Sequence, residues 1–153
     1  METKTRPKSY SYQVDVDWTT ERKGVISAHG KPAVEVATPP EFRGHPGIWS
    51  PEDLFVSAVN VCTMTTFLAL AARREVRFLR YRSRARGLLE MVDGRFKFTR
   101  VTVYPELTLP GGADEAGARA LLHEAEHSCL IANSINATVQ MEETILFTSP
   151  VAQ

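Results

Sequence analysis

Along residues 10–18, YSYQVDVDW, polar and apolar side chains alternate with period two, as in a strand with one buried face. Val25–Ser27 and Ala33–Ala37 read as two further short strands, separated by the turn signal His29–Gly30. Thr38–Trp49, with three prolines and two glycines, reads as a loop. Ser50-Pro51-Glu52-Asp53 then marks a helix start: Ser50 can accept from first-turn N–H groups, Pro51 suits the first helical position, and both acids favour the positive end of the helix dipole. Asp53, three residues after the cap, supplies a shorter version of the capping box. The helix is predicted to run to about Ala72, followed by Arg73 and Arg74 at its negative end. Val76–Leu89 and Phe96–Leu109 read as a hairpin turning at Asp93–Gly94. Glycines 111 and 112 open a second helix, about Ala113 to Ser128, with an apolar stripe of Leu121, Leu122, Ala125 and Cys129. Thr138–Phe147 reads as a closing strand. Six strands grouped around two helices, rather than alternating with them, predict an α+β fold.

From Leu54 to Ala72 the first helix carries nineteen residues without a charge, long enough to cross a bilayer. Ser57, Asn60, Thr63, Thr65 and Thr66 interrupt its middle, where lipid would penalise them, and the surrounding strands need an apolar cover. A helix buried all round in a soluble core, with no membrane partner, accounts for both facts.

At 153 residues the chain fits one domain with a real core, and neither repeats nor a long linker divide it. Residues 1–8 are expected to form a flexible N-terminal arm. Eighteen basic and eighteen acidic residues cancel, which argues against a nucleic-acid or anionic-lipid partner. METKTRPKSYSY lacks the apolar run of a secretory signal, so a cytoplasmic location is expected. In that compartment two cysteines rarely form a permanent staple. Two buried free thiols are the ordinary outcome, and Cys62 and Cys129, 67 positions apart, gain meaning only if the fold unites them.

The segments around those cysteines carry a resemblance. SPEDLFVSAVNVCTMTTFLAL is similar to the central helix of the OsmC/Ohr family, with its Pro-Glu-x-Leu start and a cysteine ten residues past the glutamate. AEHSCLIANSINATV resembles that family's second cysteine segment, and the order of elements matches from about Ser9 to Phe147. The resemblance implies an intertwined α+β homodimer whose two central helices pack back to back, with active sites at the subunit interface. It implies a thiol peroxidase in which Cys62 is peroxidatic, Cys129 resolving, and Glu52 pairs with an arginine near the thiolate. That arginine is Arg22, one residue from the family's slot, or Arg43. The segment after Cys129 lacks the proline common in the organic-hydroperoxide branch. No cofactor is implied; the reductant would be an external dithiol or lipoylated protein.

The chemistry explains these residue types. A thiolate attacks the peroxide O–O bond and becomes a sulfenic acid. Burial alone would raise the pKa of Cys62, whereas a guanidinium held by Glu52 would lower it. Val59, Met64 and Phe67 are the apolar neighbours expected to favour an organic peroxide. Cys129 would close a disulfide, which a dithiol reopens. Outside the resemblance, Glu52 serves equally well as a helix N-terminal acid.

Two rival readings remain. His123-Glu124-Ala125-Glu126-His127 matches H-E-x-x-H, placing two histidines on one helix face to hold zinc with Glu124 as general base. Such a site needs a third ligand, and His29 and His45 both lie far upstream. The other is a non-catalytic dimeric binding protein with an apolar interface pocket; thiol reactivity separates it from a peroxidase.

Overall fold

The helix start read at Ser50 forms as a reciprocal cap in the computed structural model, which describes residues 8–148. The Ser50 hydroxyl accepts from the Asp53 N–H at 3.1 Å, and the Asp53 carboxylate accepts from the Ser50 N–H at 2.9 Å. Helix α1 then runs Pro51–Arg73. The chain divides into two compact units between Asp53 and Leu54. Apart from Lys8, the expected N-terminal arm lies outside the described residues.

The first unit holds a three-stranded antiparallel meander, β1 (Asp15–Trp18), β2 (Lys23–Ser27) and β3 (Val34–Ala37). β1 is shorter than the alternation predicts because its partner ends: Asp15 pairs with Ser27, where β2 stops before the Gly30 turn. It is also exposed on both faces, with Trp18 76% accessible, rather than half buried. Within the 38–49 loop, a short 3-10 turn forms at Pro40–Phe42, and the Ala37 N–H donates to the Trp49 carbonyl.

The second unit is built on the hairpin β4 (Arg80–Val92) and β5 (Arg95–Leu109), turning at Asp93 and Gly94, which both have positive φ (49° and 77°). β4 starts four residues later than expected. Glu75 adopts φ 54°, and the Val76 N–H reaches back to the Ala71 carbonyl to close the end of α1. Helix α2 (Glu115–Ser128) begins where the Asp114 side chain accepts the Gly117 N–H.

The expected closing strand is two strands, β6 (Thr138–Met141) and β7 (Thr144–Phe147), both parallel to β5 and bringing the strand count to seven among the described residues. The cause of the break lies in β5. The Val103 carbonyl accepts from Glu142, so odd-numbered positions of β5 face this neighbour, and the next such position is Pro105, which has no N–H. The chain steps out of register at Glu142–Glu143 and resumes beyond it.

Two cores hold the helices to the sheet. One joins Phe67, Leu70 and Ala71 of α1 to Leu107 and Leu109 of β5 and to Ala118, Leu121, Leu122 and Ala125 of α2. The other joins Val59 to Val101, Val103 and Ala137, with Phe55 stacked on Phe98 at 4.6 Å. In the single chain α1 is therefore buried on one side rather than all round, and Val61 is 53% exposed. The helix is long and apolar enough to cross a membrane by length and composition, with mean hydropathy 1.8, yet its buried side faces this protein core.

Gly87 of β4 lets α1 approach closely, since an added Cβ would stand 2.5 Å from Val56 Cγ2 and 2.8 Å from Phe98 Cε1. Gly87→Ala should cost about 1–3 kcal/mol by overpacking, read as a lower chemical-denaturation midpoint. Gly111→Ala, whose Cβ would meet nothing nearer than 3.7 Å, is the control that should leave the midpoint in place.

Candidate active site

Cys62 stands on the flank of α1, one step around the helix from Thr63, whose side is buried. Cys129 caps the C-terminus of α2, fully buried, with its N–H on the Glu126 carbonyl. Beyond it the chain turns at once: the Asn133 N–H donates to the Cys129 carbonyl, and a 3-10 turn follows at Ala132–Ser134. This turn brings together the two cysteines, both free thiols, within hydrogen-bonding reach of each other.

The same turn aims backbone N–H groups at the sulfurs. Burial opposes ionisation of Cys62, but hydrogen bonds from the Ile131 N–H, the Cys129 thiol, the Thr66 hydroxyl and the Leu130 N–H together outweigh it, so its pKa is lowered from 9.0. Burial pushes the Cys129 thiol up, and the neighbouring Cys62 adds to the rise against the opposing Ala132 N–H and Thr63 hydroxyl. The C-terminal end of α2 further disfavours negative charge at Cys129. The two thiols thus carry opposed shifts, Cys62 toward ionisation and Cys129 away from it.

The arginines expected to supply a guanidinium, Arg22 and Arg43, lie in the first unit; in the second unit the Ile131 and Leu130 N–H groups favour ionisation of Cys62. Sequence reasoning also overlooked Thr66, whose signal was its spacing of four residues from Cys62 on a helix, and Thr63, which faces Cys129. Two of the three expected apolar neighbours are corrected as well, while Met64 is half-buried. Val59 and Phe67 are wholly buried in the two cores and cannot line a substrate site. Leu130, beside the sulfurs, is instead 66% exposed.

Glu52 and Arg22 belong to the first unit. Glu52 sits in the first turn of α1, and its Oε2 is buried without a hydrogen-bond partner. The Arg22 guanidinium donates to the Phe42 carbonyl at 2.8 Å, and no ion pair joins it to Glu52 among the described residues. Arg43 closes the short 3-10 turn with φ 62°. Glu21, next to Arg22, pairs with His45 at 3.5 Å.

The H-E-x-x-H segment is engaged otherwise. Glu124, the would-be base, is held by both Nη atoms of Arg74 at 2.6 and 2.7 Å. His123 Nε2 bonds Glu143 Oε1 at 2.8 Å, and Arg119 Nη1 donates to the same oxygen at 2.9 Å. Among the described residues no group of three or more His, Cys, Asp or Glu is placed to hold a metal ion. The step after Pro105 carries Glu143 to α2, tying that helix to the sheet.

The sequence profile described as OsmC-like protein matches residues 44–144. An uncharacterised protein of Bacillus subtilis, YmaD, is 22% identical over 137 residues, covering 87% of this chain and 91% of its own length. Among solved structures, an OsmC-like protein of unknown function from Vibrio cholerae superposes with TM-score 0.81 at 22% identity, covering 88% of this chain and 99% of that one. An organic hydroperoxide resistance protein OsmC from Legionella pneumophila superposes with TM-score 0.72 at 20% identity, covering 92% and 99%.

Two measurements test this geometry. Limited alkylation with iodoacetamide near neutral pH should label Cys62 well before Cys129, read by peptide mass; equal labelling would contradict the opposed shifts. Burial raises the Glu143 pKa, but its own backbone N–H, Arg119 and His123 lower it more, to a net value below 4.5. Its contribution to stability is therefore complete above 4.5 and lost as pH falls through the lower folded value. Glu143→Gln should flatten the acid limb of the stability–pH curve.

Proposed function

The chain belongs to the OsmC-like protein family, and on that premise we propose that it is a cytoplasmic thiol-dependent peroxidase that reduces hydroperoxides, organic ones foremost. The observation that carries this reading is the pairing of Cys62, with its lowered pKa, and Cys129, with its raised pKa, from opposite halves of the sequence. The Cys62 thiolate attacks the terminal oxygen of R–O–O–H, the O–O bond breaks, and the sulfur becomes a sulfenic acid, oxidised by two electrons. The RO⁻ group takes a proton and leaves as an alcohol. The Cys129 sulfur then displaces water from the sulfenic acid, closing a disulfide before further oxidation. An external dithiol, free or carried by a lipoylated protein, reopens it by exchange and is itself oxidised to a disulfide. No resident cofactor enters this cycle.

A second copy of the chain completes the proposal. Leu54, Ala58, Val61, Thr65, Leu68 and Ala72 recur at alternating spacings of four and three along the outward side of α1. This is the seam spacing of paired helices, which supports two α1 helices packing against each other in a homodimer. In that assembly Glu52 is the acid that fixes an arginine, Arg22 or Arg43, near the thiolate. A buried carboxylate oxygen without a partner is costly, which supports a cation reaching it.

One equivalent of cumene hydroperoxide should lower the intact mass of the reduced protein by about two mass units, with a Cys62–Cys129 disulfide in the peptide map. Cys62→Ser should abolish peroxide consumption, while Cys129→Ser should turn over once and then over-oxidise at Cys62. Full activity in Cys62→Ser would refute the mechanism.

A further inference from the structure

Three threonine hydroxyls crowd the turn of α1 around the cysteines, and one has more to do than brace the helix. The Cys62 carbonyl accepts from the Thr66 hydroxyl at 2.7 Å and from the Thr65 hydroxyl at 3.1 Å. As a helical carbonyl it also accepts the Thr66 backbone N–H four residues on. Three donors thus converge on an oxygen with two lone pairs. Threonine in a helix commonly back-bonds to a preceding carbonyl, but that habit needs one hydroxyl here, not two. The surplus hydroxyl is identified by position: Thr66 Oγ1 lies 4.0 Å from Cys62 Sγ, at the edge of hydrogen-bonding distance to sulfur.

We infer that Thr66 is a switching donor, whose O–H rests on the Cys62 carbonyl while the thiol is protonated and turns to the sulfur when the thiol ionises. The thiol proton departs to water; no covalent bond of Thr66 changes. The carbonyl keeps the backbone N–H and the Thr65 hydroxyl throughout, so the turn leaves no acceptor unpaired. A valine in place of Thr66 would keep the shape of the side chain and remove only this donor. Thr63 cannot substitute, because its hydroxyl donates to the Val59 carbonyl at 2.9 Å and faces Cys129. The titratable group facing Cys62 from the segment after α2 is Cys129, so both thiols must be followed separately. The inference deepens the peroxidase reading, which gives the thiolate its use.

The test is the pH dependence of iodoacetamide alkylation at Cys62, resolved from Cys129 by peptide mass, on the full two-cysteine chain. Thr66→Val should raise the Cys62 midpoint by about one pH unit, a roughly tenfold loss of thiolate at a fixed pH below it. Thr66→Ser should restore the midpoint. Thr65→Val, which removes a hydroxyl from the same carbonyl but none from the sulfur, should leave it in place, with size-exclusion chromatography checking that the variant of this seam residue keeps the parent chain's assembly. Circular dichroism checks that each variant is folded, with Thr66→Ala as the second deletion if valine is not tolerated. An unchanged midpoint in the folded Thr66 deletion, or an equal rise in Thr65→Val, overturns the switch. Alkylation needs no peroxide, so the two readings fail separately. A raised midpoint in a chain that reduces no peroxide upholds the switch and removes the peroxidase reading. An unmoved midpoint in an active peroxidase removes the switch alone.

Discussion

Burial of one stripe of α1 sets the rest of the second unit. Val59, Phe67 and Leu70 are buried in cores shared with Val101, Val103, Leu107 and Leu109 of β5, and Thr63 on the same side is buried with them, which fixes the rotation of α1 about its axis. Once that rotation is fixed, Cys62 stands on one flank of the helix and the heptad-spaced seam on its outward side. The stripe on α2, Ala118, Leu121, Leu122 and Ala125, shares the first core and brings the C-terminus of α2 beside that flank. The meeting of the two sulfurs is thus a product of hydrophobic packing, to which their mutual hydrogen bond adds.

Burial then poses an electrostatic difficulty, since it penalises any thiolate. Neutral dipoles supply the answer: two N–H groups from the turn after α2, a thiol and a hydroxyl. Such donors carry no net charge, so they stabilise a thiolate without introducing a buried ion that would itself need a partner. A cation near Cys62, if the homodimer brings one, would add to a site already biased toward ionisation.

Much of the fold was legible because its signals are local. The Ser50–Asp53 cap, the Asp93–Gly94 turn and the α2 stripe each depend on a few neighbouring residues, and each stands where the sequence places it. What stayed hidden depends on distant partners. The break between β6 and β7 is caused by Pro105, more than thirty residues earlier, and nothing within Thr138–Phe147 announces it. The rotation of α1 was equally silent, because a helix without charges on any side carries no phase in its hydropathy. Val59 and Phe67 were therefore mistaken for pocket residues. Cys62 and Cys129 were legible as chemistry, whereas Leu130 and Ile131 act through backbone N–H groups that every sequence possesses.

The uncharged run of α1 also shapes how the chain comes into being. Its stripe takes cover from Phe78 and Tyr81 as well as from β5 and α2, and Phe67 precedes Leu107 by forty residues. At ribosomal speeds of about 5–20 residues per second, roughly 2–8 s separate the synthesis of Phe67 from that of its β5 partner Leu107. Throughout that interval a segment with mean hydropathy 1.8 has only part of its native cover. The helix that carries Cys62 is thus completed late in synthesis, and the threonines and the asparagine along it temper the hydropathy of the waiting segment.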